Sequence, residues 1–92
     1  MSEEEDYLAL MSDLVKKQMV MLGPTVAVTK ARKVVALTVS DDGQVMAITG
    51  EQKAALAKLT GEYMSLSGAI ASATLNTLLE KYPNIKEQHT LS

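Results

Sequence analysis

The chain has 92 residues, 47% of them hydrophobic and 22% charged, and its formal net charge at pH 7 is −2. This composition predicts one small folded domain and excludes a chain that is disordered throughout. The absence of cysteine excludes disulfides, thiolate nucleophiles and cysteine-ligated metal sites. Because so short a chain without Phe or Trp has few large side chains for a core, we expect it to self-associate.

The acidic start of the chain predicts a helix and no export signal. Residues 3–6 are Glu-Glu-Glu-Asp, whereas a secretory signal begins with basic and then apolar residues, so we expect a cytoplasmic protein. The following residues are apolar at the a and d positions of a heptad pattern, except at Gln18. This spacing predicts a helix whose apolar face packs against another part of the protein. The apolar residues at these positions are Leu8, Met11, Val15 and Leu22. Gly23 and Pro24 should end this helix.

A second, short helix is expected over residues 25–33. Pro24 fits the first position of such a helix, where its missing N–H costs no hydrogen bond. The helical period places Val26 and Ala27 inward and puts Lys30 and Lys33 together on one outer side. We therefore expect a short connecting helix with a basic outer surface.

The basic cluster of this second helix is the candidate contact for an anion or a nucleic acid. It consists of Lys30, Arg32 and Lys33. The cluster is small, has no interleaved aromatic residues and belongs to an acidic chain. A solvated helix face is therefore the favoured interpretation, and nucleic-acid binding is not favoured.

The middle of the chain predicts a β-hairpin. The apolar period becomes two over residues 34–40 and 45–49, and Asp42-Gly43 between them suits the centre of a type I′ turn. In that register Val39 lies opposite Met46, and Leu37 lies opposite Ile48. The predicted buried face of the sheet, and its candidate interface, is Leu37, Val39, Met46 and Ile48.

A long C-terminal helix is expected to run from residue 51 to Pro83. Its a/d positions are Leu56, Leu59, Tyr63, Leu66, Ile70 and Ala73. A second stripe of small residues predicts a close contact between two such helices, although its glycines also lower helix propensity and suit a bend. That stripe includes Gly61, Ser65, Gly68 and Ser72. The expected organisation is one domain over residues 1–83 and a flexible tail over residues 84–92.

The sequence offers little for catalysis. The single histidine, His89, falls in the expected tail, and Asp41 and Asp42 occupy a turn, where acidic side chains commonly bond the local backbone. The scattered glycines match no phosphate-binding or dinucleotide fingerprint. We therefore expect no catalytic residue, no cofactor and no metal, and hence no enzyme.

The hairpin also suggests how two copies could associate. A two-stranded hairpin alone is marginal in water, and these strands carry none of the internal charges or prolines that protect an exposed edge. Hairpins from two copies could pair into a four-stranded antiparallel sheet. The predicted architecture is an α+β homodimer whose chains each contain a helix, a short helix, a β-hairpin and a long helix.

Residues 31–50 and the Ala/Leu-rich helix after them resemble part of a known family. Their order of strand, acidic turn with glycine, strand and helix is similar to the first hairpin and central helix of roadblock or dynein-light-chain-type domains. The resemblance implies a non-catalytic dimeric scaffold that binds small GTPases or motor and signalling components. It transfers no catalytic residues.

The favoured hypothesis is a non-catalytic, homodimeric interaction or regulatory module with an unidentified protein partner. One alternative is a small sensory domain that binds a hydrophobic or acidic small ligand. Another is a weak nucleic-acid binder that uses the basic cluster of the second helix. A membrane span is not favoured, because the uncharged stretch over residues 63–79 is too polar and slightly short.

Overall fold

The protein is a mixed α and β domain in which helices predominate. A computed structural model describes residues 3–91. The helices are α1 (Glu3–Leu22), α2 (Pro24–Arg32), α3 (Gln52–Ser67), α4 (Ala69–Leu79) and α5 (Pro83–Leu91). The strands β1 (Leu37–Val39) and β2 (Val45–Ile48) form one antiparallel hairpin. The predicted α+β class is confirmed. Within residues 3–91, no helix has both the length and the apolar character to cross a membrane.

Helix α1 is the element on which most of the fold packs. It contacts the other four helices and strand β2. Its first turn is acidic, which suits the positive end of the helix dipole. The predicted apolar face is confirmed at Met11 and Val15, which are fully buried, while Leu8 and Leu22 are partly buried. The buried residues of α1 are Tyr7, Leu10, Met11, Ser12, Leu14, Val15 and Gln18.

The break between α1 and α2 lies where the sequence predicts it. Gly23 has φ of 91° and its N–H donates to the Met19 oxygen over 3.0 Å, which ends α1. Helix α2 then begins at Pro24. The inward placement of Val26 is wrong, because the helical period puts Ala27, Val28 and Ala31 against the core and leaves Val26 43% exposed.

The hairpin turn differs from the predicted type I′ turn. The Gly43 N–H donates to the Ser40 oxygen over 3.1 Å, so the central residues are Asp41 and Asp42. Neither aspartate has a positive φ, which a type I′ turn requires at both central positions, whereas Gly43 has φ of 87°. The loop therefore has the features of a type I turn followed by a left-handed glycine, with one more loop residue than predicted.

This longer loop changes the strand register next to it. Leu37 pairs with Ile48 as predicted, but Val39 pairs with Val45, and Met46 becomes the extra residue of a bulge. A shift of one residue moves a side chain to the opposite face of a sheet. Val45 is therefore 1% exposed and Met46 is 58% exposed, so the prediction that Met46 lies on the buried face is wrong.

The predicted long C-terminal helix is divided in two at Gly68. This glycine has φ of 55° and ψ of −128°, which interrupts the helix between α3 and α4. The predicted a/d stripe loses its continuity at this point, and Leu66 and Ile70 are 46% and 59% exposed. Helix α4 instead contacts α1 and buries its own leucines, which are Leu75, Leu78 and Leu79.

The segment expected to be a flexible tail forms helix α5, apart from residue 92, which lies outside the described residues. Pro83 suits the first turn of a new helix as well as it ends the previous one. The Ile85 side chain is fully buried. The Tyr7 hydroxyl donates to the Gln88 amide oxygen over 2.8 Å, which joins α5 to α1. The structure thus places a helix where a tail is expected, and the flexibility of this segment stays a prediction.

Side chains of the helices bond main-chain groups of both strands. The Arg32 guanidinium donates to the Val39 oxygen, and the Val45 N–H donates to the Ser12 hydroxyl over 2.9 Å. A strand from a second copy that used either group would have to displace these contacts. The four-stranded sheet remains a prediction that these contacts disfavour.

Candidate functional site

A groove between α2 and α3 combines exposed apolar side chains with ammonium groups. Its two parts have volumes of about 350 and 330 Å³, and Lys33 lines both. The first part is lined by Lys33, Val34, Val35, Ala36, Lys58, Gly61 and Glu62. The second part is lined by Thr25, Val26, Thr29, Lys30, Lys33 and Leu66. We refer to the two parts together as the α2–α3 groove.

A buried hydrogen bond joins the two helices α2 and α3. The Tyr63 hydroxyl of α3 donates to the Ala27 main-chain oxygen of α2 over 2.7 Å. Both residues are fully buried, so this bond fixes the two helices against each other below the groove. Burial raises the pKa of the Tyr63 hydroxyl, which keeps it protonated as the donor.

The apolar part of the groove comes from three exposed side chains. Val26 and Leu66 are 43% and 46% exposed and line the same part of the groove, while Val35 in the other part is 95% exposed. Single exposed apolar residues are normal, but contiguous ones next to polar groups mark interaction sites. The apolar surface of the groove is therefore its first functional feature.

The charge of the groove is positive. Lys30, Lys33 and Lys58 contribute three ammonium groups, and Glu62 contributes the one carboxylate among the lining residues. The Lys30 ammonium lies 3.5 Å from the Glu62 carboxylate and donates to the Ser65 hydroxyl over 3.3 Å. Within residues 3–91, Lys33 and Lys58 form no ion pair. Two ammonium groups are thus available to a ligand.

The structure brings together parts of two sequence-based hypotheses. Lys30 and Lys33, predicted as an anion contact, line the same groove as Gly61, predicted as part of a helix contact. Ser65 lies beside them and bonds Lys30. These four residues meet because α3 packs alongside α2.

The other predicted site residues lie elsewhere. Arg32 bonds the Val39 oxygen and the Asp41 carboxylate, so it acts within the fold. Gly68 forms the break between α3 and α4, and Ser72 follows on α4, so the small-residue stripe does not continue along one helix. In the hairpin, Leu37 and Val39 are buried in the core, Ile48 is partly buried and Met46 is exposed.

Val26, Val35, Lys58 and Leu66 are site residues that the sequence analysis did not identify. Val26 was expected inward and Leu66 was expected within a continuous apolar stripe. The useful signal for Leu66 is its position two residues before Gly68, because a helix that ends there does not continue the apolar stripe beyond it. Val35 and Lys58 carried no signal of their own.

A second cleft, between α1 and α4, has similar charge on a different pair of helices. It measures about 290 Å³ and is lined by Asp13, Lys16, Lys17, Val20, Leu78 and Lys81. The Asp13 carboxylate accepts a hydrogen bond from the Tyr82 hydroxyl over 3.2 Å. Burial and the Asp13 charge together raise the pKa of Tyr82. Because this cleft also contains several lysines, it serves as a matched control for charge at the groove.

The groups with shifted pKa values have structural partners and do not line the α2–α3 groove. The Ser40 hydroxyl and the Gln44 N–H lower the pKa of the Asp42 carboxyl, which belongs to the hairpin turn. Among the residues that the structure describes, no cluster of His, Asp and Glu has the composition of a metal site. The groove's chemistry is that of binding through apolar contact and positive charge.

Comparison with known proteins adds no relatives. No protein-family profile, curated protein or solved structure matches this chain. The resemblance of residues 31–50 to roadblock or dynein-light-chain-type domains is therefore untested. The functional argument rests on the groove.

Proposed function

We propose that this protein is a non-catalytic interaction module that binds a segment of another protein in the α2–α3 groove, and that it works in the cytoplasm. The observation that carries the proposal is the pairing of exposed Val26 and Leu66 in one groove with the ammonium groups of Lys30 and Lys33. Apolar surface supplies affinity, and charge at its border supplies specificity and faster encounter.

A protein segment fits this groove better than a small molecule does. Sites for small ligands typically enclose about 70–90% of the ligand surface within a cleft or cavity. Here the apolar lining residues are themselves exposed, and Val35 is 95% exposed. Such an open groove matches an elongated partner that covers it along its length.

The same groove is a poor nucleic-acid surface. Lys30 is shared with Glu62 and Ser65, and Arg32 is bonded to Val39 and Asp41. The groove has no aromatic side chain on which a base could stack. A protein partner therefore accounts for the apolar lining, which a nucleic acid would leave unused.

A homodimer formed through this groove is disfavoured by charge. In a twofold interface the same patch meets itself, so Lys30, Lys33 and Lys58 would face the same lysines of the second copy. Self-association through the hairpin remains a separate proposal. Met46 is the member of the predicted hairpin interface that stays accessible, at 58% exposed.

The test is a peptide-display selection against the wild-type protein. Selected peptides should lose about tenfold or more in affinity for Val26→Asp and Leu66→Asp variants that keep their far-UV circular dichroism. Val20→Asp is the matched control, because Val20 is an exposed valine of the α1–α4 cleft. Failure to select any peptide, or equal loss in all three variants, would contradict the proposal.

A further inference from the structure

We infer that the segment bound in the α2–α3 groove is an amphipathic helix whose apolar stripe is flanked by acidic side chains. This inference rests on the proposed function and specifies the partner's chemistry. It follows from the charge of the groove, from the position of its apolar residues and from the kind of backbone that borders it.

The charge of the groove calls for an acidic partner. Lys33 and Lys58 form no ion pair within residues 3–91, and Lys30 has only the carboxylate of Glu62 at 3.5 Å. Three ammonium groups with one carboxylate leave an excess of positive charge along the groove. Carboxylates placed opposite Lys33 and Lys58 would complement this charge and exclude basic competitors.

The apolar residues indicate how a helix would lie. Val26 comes from α2 and Leu66 from α3, and both line the same part of the groove. A third helix laid between two others places residues at i, i+3 or i+4, and i+7 against such a surface. Its apolar stripe can therefore contact both side chains, while its flanks face the lysines.

Gly61 gives the partner room to approach. Apart from its chain neighbours and the backbone of its own helix, no heavy atom of residues 3–91 lies within 4 Å of the position that a Cβ atom would occupy at this glycine. Gly61 lines the part of the groove that also contains Val35 and Lys58. A glycine allows close backbone approach, so the partner helix can sit deeper here than over a larger residue.

The main chain around the groove favours a helix over an added strand. Addition of a strand requires an exposed sheet edge with free N–H and C=O groups. The part with Val26 and Leu66 lies between two helices, whose backbone groups are mostly bonded within each helix. The other part is bordered by residues 33–36, which connect α2 to β1, and there the Val34 N–H donates to the Ala31 oxygen and the Ala36 oxygen accepts from the Thr49 N–H. Side chains, and not main-chain groups, must therefore make most of the contacts with the partner.

The test compares two synthetic helical peptides of equal length and identical apolar pattern. One carries Glu at the positions that flank the apolar stripe, and the other carries Lys at the same positions. The Glu peptide should bind the wild-type protein and shift the backbone amide resonances of Val26, Lys33, Gly61 and Leu66. The Lys peptide should not bind.

A second test reverses the charges of Lys33 and Lys58 in the protein. The Lys33→Glu, Lys58→Glu double variant should bind the Glu peptide about tenfold or more weakly and gain affinity for the Lys peptide. The Lys17→Glu, Lys81→Glu double variant is the matched control, because it changes the net charge equally at the α1–α4 cleft. It should bind the Glu peptide as the wild type does.

The outcomes separate this inference from the proposed function. Equal weakening by both double variants would overturn the inference, because binding would then follow net charge alone. If display selection yields groove-dependent peptides without acidic residues, the proposed function stands and the acidic helix is wrong. Groove-dependent binding of phosphatidylglycerol vesicles or duplex DNA, with no binding of the Glu peptide, overturns both.

Discussion

The Arg32 guanidinium donates two hydrogen bonds to the main-chain oxygen of Val39, over 3.1 and 3.0 Å. The same group forms an ion pair with the Asp41 carboxylate at 2.7 Å. One side chain at the end of α2 therefore positions both strand β1 and the hairpin turn. A guanidinium holds several N–H donors in one plane and can bond Val39 and Asp41 together, whereas a lysine offers one ammonium nitrogen.

Arg32→Lys should therefore lower the free energy of unfolding. We expect a loss of about 1 kcal/mol, because part of the hydrogen bonding to a charged donor is lost at a half-exposed position. Urea unfolding followed by circular dichroism measures this change. Lys33→Arg, at the neighbouring position without an ion pair, is the control and should have little effect. An unchanged stability in Arg32→Lys would return Arg32 to the candidate ligand contacts.

Gln18 should be a source of instability in the core. It is fully buried, and within residues 3–91 neither its amide nitrogen nor its amide oxygen has a hydrogen-bond partner. An unsatisfied buried polar group costs about 1–3 kcal/mol. Gln18→Met, of similar shape, should therefore raise the free energy of unfolding by about 1 kcal/mol or more. A decrease would show that a buried water satisfies the amide.

A comparison of Gly43→Ala with Gly50→Ala measures how closely the hairpin packs on α1, because the two glycines share a backbone conformation and differ in their neighbours. Both have positive φ, 87° and 82°, so an alanine at either position adopts a left-handed conformation that costs about 1 kcal/mol. A Cβ at Gly43 would overlap the Met19 sulfur, whereas at Gly50 no heavy atom of residues 3–91 other than its chain neighbours lies within 4 Å of the added Cβ. The Met19 sulfur lies near the end of a flexible side chain and can shift, but Val15 Cγ1 at 3.3 Å from the added Cβ belongs to a buried residue. Gly43→Ala should therefore destabilise the protein more than Gly50→Ala does, by up to about 1 kcal/mol.

A Met19→Ala background tests the cause of that difference. Removing the Met19 side chain makes room for the added methyl group, so the excess cost of Gly43→Ala should shrink. Urea unfolding of the four proteins in this double-mutant cycle gives the coupling between the two positions. If the destabilisations of Gly43→Ala and Met19→Ala simply add, the excess cost of Gly43→Ala does not come from Met19.

Alkaline pH should unfold the protein through its tyrosines. Burial raises the pKa of Tyr7, Tyr63 and Tyr82, and nearby carboxylates add to this effect at Tyr7 and Tyr82. Because the folded state keeps these hydroxyls protonated, their contribution to stability is complete below the unfolded pKa of about 10. It is lost as the pH rises from there towards the folded pKa values.

An absorbance titration checks this expectation. Tyrosinate absorbance should appear together with the loss of helical circular dichroism, because the hydroxyls ionise readily only after unfolding. Tyr63→Phe removes the most strongly buried of these hydroxyls and should make stability less dependent on pH in this range. Tyrosinate formation in a protein that is still helical would contradict the prediction.

Local chemistry made part of the fold predictable. Gly23 and Pro24 mark the junction of α1 and α2, because one ends a helix and the other begins one. The pairing of Leu37 with Ile48 likewise follows from the alternation of apolar residues. These features depend on neighbours along the chain, and neighbours are what the sequence shows directly.

The remaining features depend on contacts between distant residues. The Asp-Gly pair suits more than one turn, and in the folded protein Gly43 lies against Val15 and Met19 of α1. The low helix propensity of Gly68 predicts a weak point in the helix, but the break also depends on the packing of α4 against α1. The sequence places Lys33 and Gly61 in separate candidate sites, and only the packing of α2 against α3 brings them into one groove.

The contact between Tyr7 and Gln88 has a consequence for the order of events during synthesis. The two residues are 81 positions apart, and their bond joins α1 to α5. On the ribosome α1 emerges before α5, so Tyr7 lacks its Gln88 partner until α5 has been synthesised. Helix α1 is thus synthesised before the segment that contacts its Tyr7. The native fold is completed only after residue 88 has left the exit tunnel.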